Sequence, residues 1–544
     1  MTRSDDPLRI VVLSGPICAG KSKLCENLHS RHGAIVVKTR DLIKQQRPRV
    51  KDERGTLQRA GEALDRADGG AWVGNALVRL IQDSPKGGGL FVVDSARIRG
   101  QISSIRKAYG SAVHHVHLTA PEEDLAARYE RRSSKTKEFS NYAEVKRSRT
   151  EKNVGLLADL ADIVVSTERC TAEAVLVRAT ALLGLYPRKT LPLVDVLVGG
   201  QYGSEGKGNI VGHIAPEYDL LVRVGGPNAG HKVFGDPVEV YHHLPSGTQR
   251  APNAKLLLGA GAVLYPERLL EEIAQNDVSS ERLSIDPQAM IIEDADRALE
   301  KKLLASIGST SQGVGSASAR KIMGRGGKVR PKVKLAKDIA QLQPFIRHGL
   351  EVLEDAFVRN RAVLLEGTQG TSLSIHHGNY PYVTSRDTSV AGCLADAGIA
   401  ATRVRRVIMV CRTYPIRVAD PTTGGETSGP MTISISYEQL SERSGIPADE
   451  LRKIEKTTTT GKQRRLAEFD WEQLRRSTLL NGPTDIALTF ADYISVENRK
   501  AYRFEQLTSE TVRFIEELER VSGVPVNLIS TNFDWRNIID RRTW

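Results

Sequence analysis

Cysteine is scarce and unpatterned in this sequence: Cys18, Cys25, Cys170, Cys393 and Cys411 are odd in number, with no CxxC or Cys/His metal spacing among them. A fully paired disulfide framework is ruled out, and the five read as reduced thiols. Aromatic residues make up only 5% of the chain, too few for the stacking platforms that hold single-stranded nucleic acids. No run approaches the roughly 18 to 20 apolar residues that a membrane span requires. The start, MTRSDDPLRIVVLSG, passes from a short apolar run straight into a glycine loop, as a first strand does and a secretion signal does not. The expectation is a cytoplasmic protein that does not enter membranes. Long blocks of like charge are also missing, and the nearest approach, RRSSKTKEFSNYAEVKRSRTEK (131–152), reads most simply as a solvated helical face.

What the sequence does have is a net charge of +12, from 77 Lys and Arg against 65 Asp and Glu. That balance suits nucleic acid, a membrane surface or phosphorylated small molecules. The low aromatic content makes the metabolites the first choice and nucleic acid a rival resting on charge alone.

At 544 residues and 40% hydrophobic content the chain is long enough for two or more globular domains. Short β-branched runs at 9–14 (RIVVLS), 34–37 (AIVV), 90–93 (LFVV), 113–118 (VHHVHL) and 162–165 (DIVV) alternate with helical stretches. This predicts an α/β fold, a doubly wound parallel sheet with crossover helices, closing on a helix near TAEAVLVRATALLGL. The segment YPRKTLP carries two prolines and no periodicity, which divides the chain into a domain at 1–186, a linker at 187–192 and a second domain at 193–544. The second domain opens on the strand LVDVLVGG. Its loops GGPNAGH, GAGAV, GSTSQGVGS, EGTQGT and TTTTGK recur with no fixed period. They predict a larger α/β body whose backbone approaches ligands at several points.

GPICAGKS (15–22) satisfies G-x-x-x-x-G-K-[ST] between the strand IVVLS and KSKLCENLHSRHG, where Leu24 and Leu28 share a helical face and Gly33 ends the helix. Backbone N–H groups from Gly15 to Gly20 would cradle phosphates, Lys21 would reach the outer ones, and Ser22 would bind Mg²⁺. The surroundings resemble the nucleoside monophosphate kinases. VVKTRDLIKQQ (36–46), with Arg40, is similar to their monophosphate-binding segment, and LFVVDSARIRG (90–100) ends its strand on Asp94. That residue is either a Mg²⁺ or acceptor-site carboxylate or a plain capping residue. ARYERRSSKTK (127–137) resembles their arginine-bearing lid. Its Arg128, Arg131 and Arg132 would neutralise a transferred phosphoryl group, and a solvated helix would equally account for them. The acceptor is not readable.

GGQYGSEGKGN (199–209) has the glycines and lysine of a phosphate loop, yet Gln201 and Gly208 stand where a P-loop needs Gly and Ser or Thr. Together with VRVGGPNAGHKV, HHLPSGT, IGSTSQGVG, EGTQGTSLSIHHGNYPYVTS, RTYPIRV, TTTTGKQRR, ALTFAD and VPVNLISTN, in that order, it resembles adenylosuccinate synthetase. That enzyme joins L-aspartate to inosine monophosphate while hydrolysing GTP, and the second domain is like the family's shorter, archaeal-type form. The resemblance implies that His231 acts as general acid toward the donor's leaving phosphate, a role suited to histidine. It implies the Gly230 carbonyl as a Mg²⁺ ligand, and Lys207, with Gly206 and Gly208, against the nucleotide phosphates. Asn228, Thr310 and Thr384 match positions holding the acceptor's phosphate, and Gln369 the glutamine near the base. Thr459, Thr460 and Arg464 match the loop gripping aspartate, with Lys462 where the family has Arg, which keeps the charge and loses the fork. Asp492 and Ser530 fall where the donor base is read, but Phe490 replaces a Lys, so ATP and GTP are both plausible donors. A homodimer is implied, although the arginine normally lent across it has no clean match in KIMGRGGK, where Arg325 is one position away.

The family's first loop reads Gly-Asp-Glu-Gly-Lys-Gly, and its Asp takes the proton from N1 of the base and ligates Mg²⁺. Ser204 stands in that position here, and a serine hydroxyl is neither an ionised base near neutral pH nor a good Mg²⁺ ligand. One reading is an inactive nucleotide sensor; another is ordinary turnover of IMP with GTP. The favoured one is a substrate with an amino group at C2. It resembles the branch of the family found in phages with 2-aminoadenine DNA, which acts on dGMP and carries the same kind of replacement.

Overall fold

The structure is a computed structural model that describes residues 7–52, 54–83, 89–132, 141–147, 149–186, 190–303, 307, 309–418, 428–456 and 463–542. It divides into two compact units, Met1–Arg188 and Lys189–Trp544. No helix among the described residues is long and apolar enough to cross a membrane.

In the first unit β1 (Arg9–Ser14), β2 (Ile35–Lys38), β3 (Leu90–Asp94), β4 (Val113–Thr119) and β5 (Ile163–Ser166) form a parallel sheet in the order β2-β3-β1-β4-β5. These are the five runs read from β-branched periodicity, and the doubly wound α/β expectation is met. Ile10, Val12, Phe91 and Val93 pack on one side of the sheet, and Val11, Leu13, Val92 and Val116 on the other. The strand order reverses beside β1, so its C-terminal end opens onto the crevice where ligands of such sheets bind. The helix Lys21–His32 leaves from that end, buries Leu24 and Leu28, and stops at Gly33 in a left-handed turn with φ of 64°.

The second unit is built on a sheet of nine strands among the described residues. Their order is Leu283–Ile285, Lys255–Leu258, Leu220–Arg223, Val363–Gly370, Val194–Gly199, Val404–Arg412, Asp485–Thr489, Val526–Ser530 and Ile538–Asp540. All neighbours are parallel except the last pair. Val194–Gly199 and Val363–Gly370 lie at its centre, buried along their whole length. Near-continuous apolar runs of this kind are what a sheet covered on both faces demands. A small antiparallel sheet of Ile416–Val418, Arg464–Ala467 and Ser434–Ile435 carries Arg417 and Arg464.

Candidate functional site

The first unit's loop is shaped by two glycines. Gly15 has φ of 133°, and a Cβ there would lie 2.2 Å from the Leu118 carbonyl oxygen; Gly20, with φ of 94°, caps the helix Lys21–His32. Lys21 folds back to donate to the carbonyls of Gly15 (2.6 Å) and Pro16 (2.7 Å). Burial, and then the Arg97 guanidinium, bring its pKa down to about 7. Gly20, Lys21, Ser22, Arg40, Asp94 and Arg128 all line one cavity of about 1490 Å³, as does Arg132.

Three arginines have partners or placements that the sequence alone does not show. Arg40 is turned to Asp52 at 3.1 Å. Arg128 is tied to Thr167, donating to its carbonyl at 3.0 Å and its hydroxyl at 2.9 Å, and braces the loop through the Cys18 carbonyl at 3.4 Å. Arg131 caps the helix Glu122–Glu130 and is exposed, away from the cavity wall, whereas Arg132, just past the helix end, lines the cavity. The rest of the lid segment from Ser133 lies outside the described residues. Sequence reasoning also passed over Arg97 and Glu151. Glu151 accepts from the Ile17 amide at 3.1 Å and from Arg97 at 2.5 Å, so a carboxylate occupies a phosphate-loop N–H.

In the second unit the loop after Val194–Gly199 wraps a buried carboxylate. Glu205 accepts from the amides of Gln201 (3.1 Å) and Gly203 (2.7 Å) and from Lys207 at 2.6 Å. Lys207 also donates to the Gly203 carbonyl and is 2% exposed. Gly206, with φ of 85°, caps the helix Lys207–Ile214, which directs its free amides at the loop. Gly208 has a packing reason to be glycine, since a Cβ would meet the Lys232 carbonyl oxygen at 2.4 Å.

A cavity of about 250 Å³ brings together Ser204, Asn228, Gly230, His231, Thr310, Gln369, Thr384 and Arg464. Gln369 donates to Thr384 Oγ1 at 2.7 Å, and Asn228 reaches the same oxygen at 3.5 Å. Gln369 holds φ of 68°, a left-handed conformation unusual for a residue with a side chain, and its Oε1 is buried without a partner. Strain of about 1–3 kcal/mol and an unmet acceptor are typical of a residue positioned for a ligand.

His231 is the best-supported side chain of the site. Its Nδ1 lies 2.5 Å from Glu366 Oε1, while its Nε2 is buried without a partner. Glu366 also accepts from the Ser246 amide at 2.7 Å and from the Ser246 hydroxyl, and Arg223 stands 3.5 Å away. Burial alone would raise the Glu366 pKa; Arg223, His231 and Ser246 outweigh it and hold the carboxyl at about 2. Burial and Arg223 bring His231 down to about 4, so at neutral pH a neutral imidazole faces an ionised Glu366. Arg223 in addition donates to the Ala229 carbonyl at 2.9 Å, bracing the loop that carries Asn228 and Gly230.

Other expected site residues are not gathered here. Lys207 is sealed against Glu205 and does not line the cavity. Asp492 is fully buried, takes Arg499 Nε at 3.0 Å on Oδ2 and leaves Oδ1 unpartnered, and burial raises it to about 6. Ser530 donates to the Asn532 carbonyl at 2.8 Å within its own loop. Thr459, Thr460 and Lys462 lie outside the described residues. Arg464 is on the wall, 3.4 Å from the buried Glu455. Glu455 also binds Arg412 at 2.6 Å, and Arg412 reaches the Ser204 carbonyl at 3.2 Å and lies 3.9 Å over the Phe490 ring. Glu366 and Arg412 open the stretches EGTQGT and RTYPIRV, but nothing in those stretches shows which buried partners they hold.

Among the described residues no cluster of three or more His, Cys, Asp or Glu could by itself hold a metal ion. The walls suit a Mg²⁺ carried in on a triphosphate, which needs few protein oxygens: Ser22 and Asp94 in the first unit, the Gly230 carbonyl in the second.

A profile of the family described as adenylosuccinate synthetase matches residues 196–334 and 328–500, and one described as AAA domain matches residues 10–152. The adenylosuccinate synthetase of Pyrococcus sp. (strain ST700) is 38% identical over 357 residues, 64% of this chain and 98% of that protein. That of Methanocaldococcus jannaschii is 37% identical over 356 residues, 64% of this chain and 96% of that one. Among solved structures, the cyanophage S-2L succinoaminodeoxyadenylate synthetase (PurZ) bound to dGMP and dATP as an energy donor matches with a TM-score of 0.55 and 28% identity, over 64% of this chain and 96% of that one. The fully ligated adenylosuccinate synthetase from Plasmodium falciparum has a TM-score of 0.55 at 22% identity, over 64% and 100%, and bears on the fold alone. With its site loops in the family's order and these matches along the second unit, the chain belongs to the adenylosuccinate synthetase family of carbon–nitrogen ligases, and carries a P-loop, kinase-like unit ahead of it.

Proposed function

We propose that the second unit ligates L-aspartate to C6 of a purine nucleoside monophosphate as a nucleoside triphosphate is hydrolysed, with dGMP or GMP favoured over IMP. The product is then N6-succinyl-2-amino-(deoxy)adenylate. The first unit, on this reading, phosphorylates a nucleotide or nucleoside.

Ser204 carries the choice of base. It lines the same cavity as Gln369 and His231, where a carboxylate would crowd C2. A hydroxyl is smaller, uncharged and able to accept from the amino group that guanine has and hypoxanthine lacks. The cyanophage relative bound to dGMP supports this choice.

The chemistry runs in two displacements. The C6 oxygen takes the γ-phosphoryl group as N1 gives its proton to a substrate phosphate oxygen or a bound water and nucleoside diphosphate leaves; the aspartate amine then adds at C6, releasing its proton to solvent, and phosphate departs. Asn228, Thr310 and Thr384 hold the acceptor's phosphate, and Gln369 orients the base. His231 takes a proton at Nε2 from solvent as phosphate charge arrives and presents it to the donor's leaving phosphate as general acid, because Glu366 behind it stabilises the imidazolium. Arg464 binds a carboxylate of aspartate through its fork. Lys207, once a phosphate competes for it against Glu205, joins the Gly206 and Gly208 amides at the donor. Asp492 and Ser530 stand toward the donor base, for ATP or GTP. Mg²⁺ would neutralise the triphosphate beside Gly230 in this unit and beside Ser22 in the first. The family resemblance implies a homodimer, with Arg325 one position from where the arginine lent across it would stand. The inactive-sensor reading draws on Ser204 too, but the buried His231–Glu366 pair, with its unpartnered Nε2, favours turnover.

Incubating the purified chain with Mg²⁺, L-aspartate and either dGMP, GMP or IMP, with ATP and GTP in competition, tests this directly. Ready consumption of IMP with dGMP and GMP ignored would falsify the choice of base.

A further inference from the structure

The first unit's cavity holds a carboxylate whose setting is more specific than phosphoryl transfer requires. Asp65, on the helix Arg54–Asp68, lines the cavity. Its Oδ1 accepts from Trp72 Nε1 at 2.8 Å and from Gln101 Nε2 at 2.9 Å. Gln101 is itself held in place, because its Oε1 accepts from the Arg97 amide at 2.8 Å. Two N–H groups are thus spent on fixing Asp65, and what this part of the wall presents to a ligand is an oriented acceptor. Glu62, one turn earlier, lines the cavity as well, and Arg66, the next residue, adds a cationic donor.

We propose that Asp65 reads the base of the nucleotide this unit phosphorylates, and that the base is guanine. The inference rests on the kinase reading given above. An ionised carboxylate only accepts hydrogen bonds. Of the common bases, guanine alone sets two donors side by side, N1–H and the C2 amino group. Adenine and cytosine place a ring-nitrogen lone pair beside their amino group, and thymine flanks its N3–H with two carbonyls, so each turns a lone pair toward the carboxylate. Arg66 matches the O6 carbonyl that completes the guanine edge. The carboxylates of Asp65 and Glu62 repel the acceptor's phosphate and leave it to Lys21, Arg40 and Arg97 on the same cavity. Both units then draw on one guanine nucleotide pool, one phosphorylating it and the other committing it to aspartate.

The test uses the full chain with ATP and Mg²⁺ and no aspartate, so that ligation cannot finish, and measures nucleoside diphosphate formed from dGMP, GMP, dAMP, dCMP and dTMP. Guanine acceptors are expected to exceed the others in kcat/KM by about 10-fold or more. Asp65→Asn should lower the ratio of dGMP to dAMP turnover by about 10- to 100-fold. A ratio is insensitive to partial misfolding, and Glu62→Gln, a second variant on the same wall, should lower it in the same direction by less. A preference for dAMP, dCMP or dTMP, or an unchanged ratio in Asp65→Asn, overturns the proposal while leaving the kinase reading in place. No transfer to any nucleotide overturns both.

Discussion

His231 Nδ1 and Glu366 Oε1 lie 2.5 Å apart with both side chains almost wholly buried, and the other nitrogen of the ring is left without a partner. The carboxylate fixes the ring's tautomer and supplies the negative charge that an imidazolium needs in a dry site. Arg223 and Ser246 hold that carboxylate ionised.

Glu366→Gln should therefore lower kcat for ligation by about 100-fold with little change in the KM for aspartate. It should also move the alkaline limb of the kcat profile to lower pH, because an amide no longer supports the protonated ring. A kcat–pH series on the two proteins checks this, and a uniform fall with an unmoved profile would assign Glu366 a purely structural role.

Acid should destabilise the second unit well before Glu366 titrates. Burial lowers His231 and His242 to about 4 and holds His243 well below its ordinary value, against about 6.5 in an unfolded chain. The unfolded state therefore takes up protons first, and stability present above about pH 6.5 is lost as pH falls toward 4. Each such histidine contributes about 1–2 kcal/mol of loss by pH 5. Glu366, at about 2, acts only in a lower window. Thermal melting between pH 7.5 and 5 should show a steep fall, and a flat transition temperature would mean these histidines are not buried and neutral.

Ser204→Asp restores a carboxylate beside the base. It should raise turnover of IMP relative to dGMP by about 10-fold or more, the scale on which pockets discriminate by one group. Steady-state rates with both nucleotides measure this, and an unchanged ratio would remove Ser204 from the choice of base.

The fold was legible because its signals are local. The five strands of the first unit are short β-branched runs, and Gly15, Gly20 and Gly33 mark backbone turns. The wall of the second cavity was legible for a related reason: Ser204, Asn228, His231, Gln369 and Thr384 each sit inside a distinctive short sequence motif. Partnerships were not legible. Glu366 matters through a residue 135 positions away, and the Asp65–Gln101 bond spans 36 positions. Burial was hidden as well, since a glycine-flanked lysine looks alike whether it faces phosphate or, as Lys207 does, a carboxylate inside its own loop. Arg131 and Arg132 differ only in which side of a helix end they leave.

Lys21→Ala should abolish phosphoryl transfer by the first unit and leave aspartate ligation intact, because each site lies within one compact unit. In the intact protein the KM for ATP in phosphoryl transfer should rise with pH from 7 to 9. Burial and Arg97 hold the Lys21 pKa near 7 before nucleotide binds, and phosphate favours the protonated form. Loss of both activities in Lys21→Ala would mean the two sites are not independent.

The most direct test is mass spectrometry of the products formed from dGMP, GMP, IMP and dAMP, each with L-aspartate, Mg²⁺, ATP and GTP. Ligation at C6 of a 2-amino purine is expected to give the succinyl adduct of dGMP or GMP, with one phosphate released per adduct. An adduct from IMP alone, or nucleotide binding without any adduct, would contradict it.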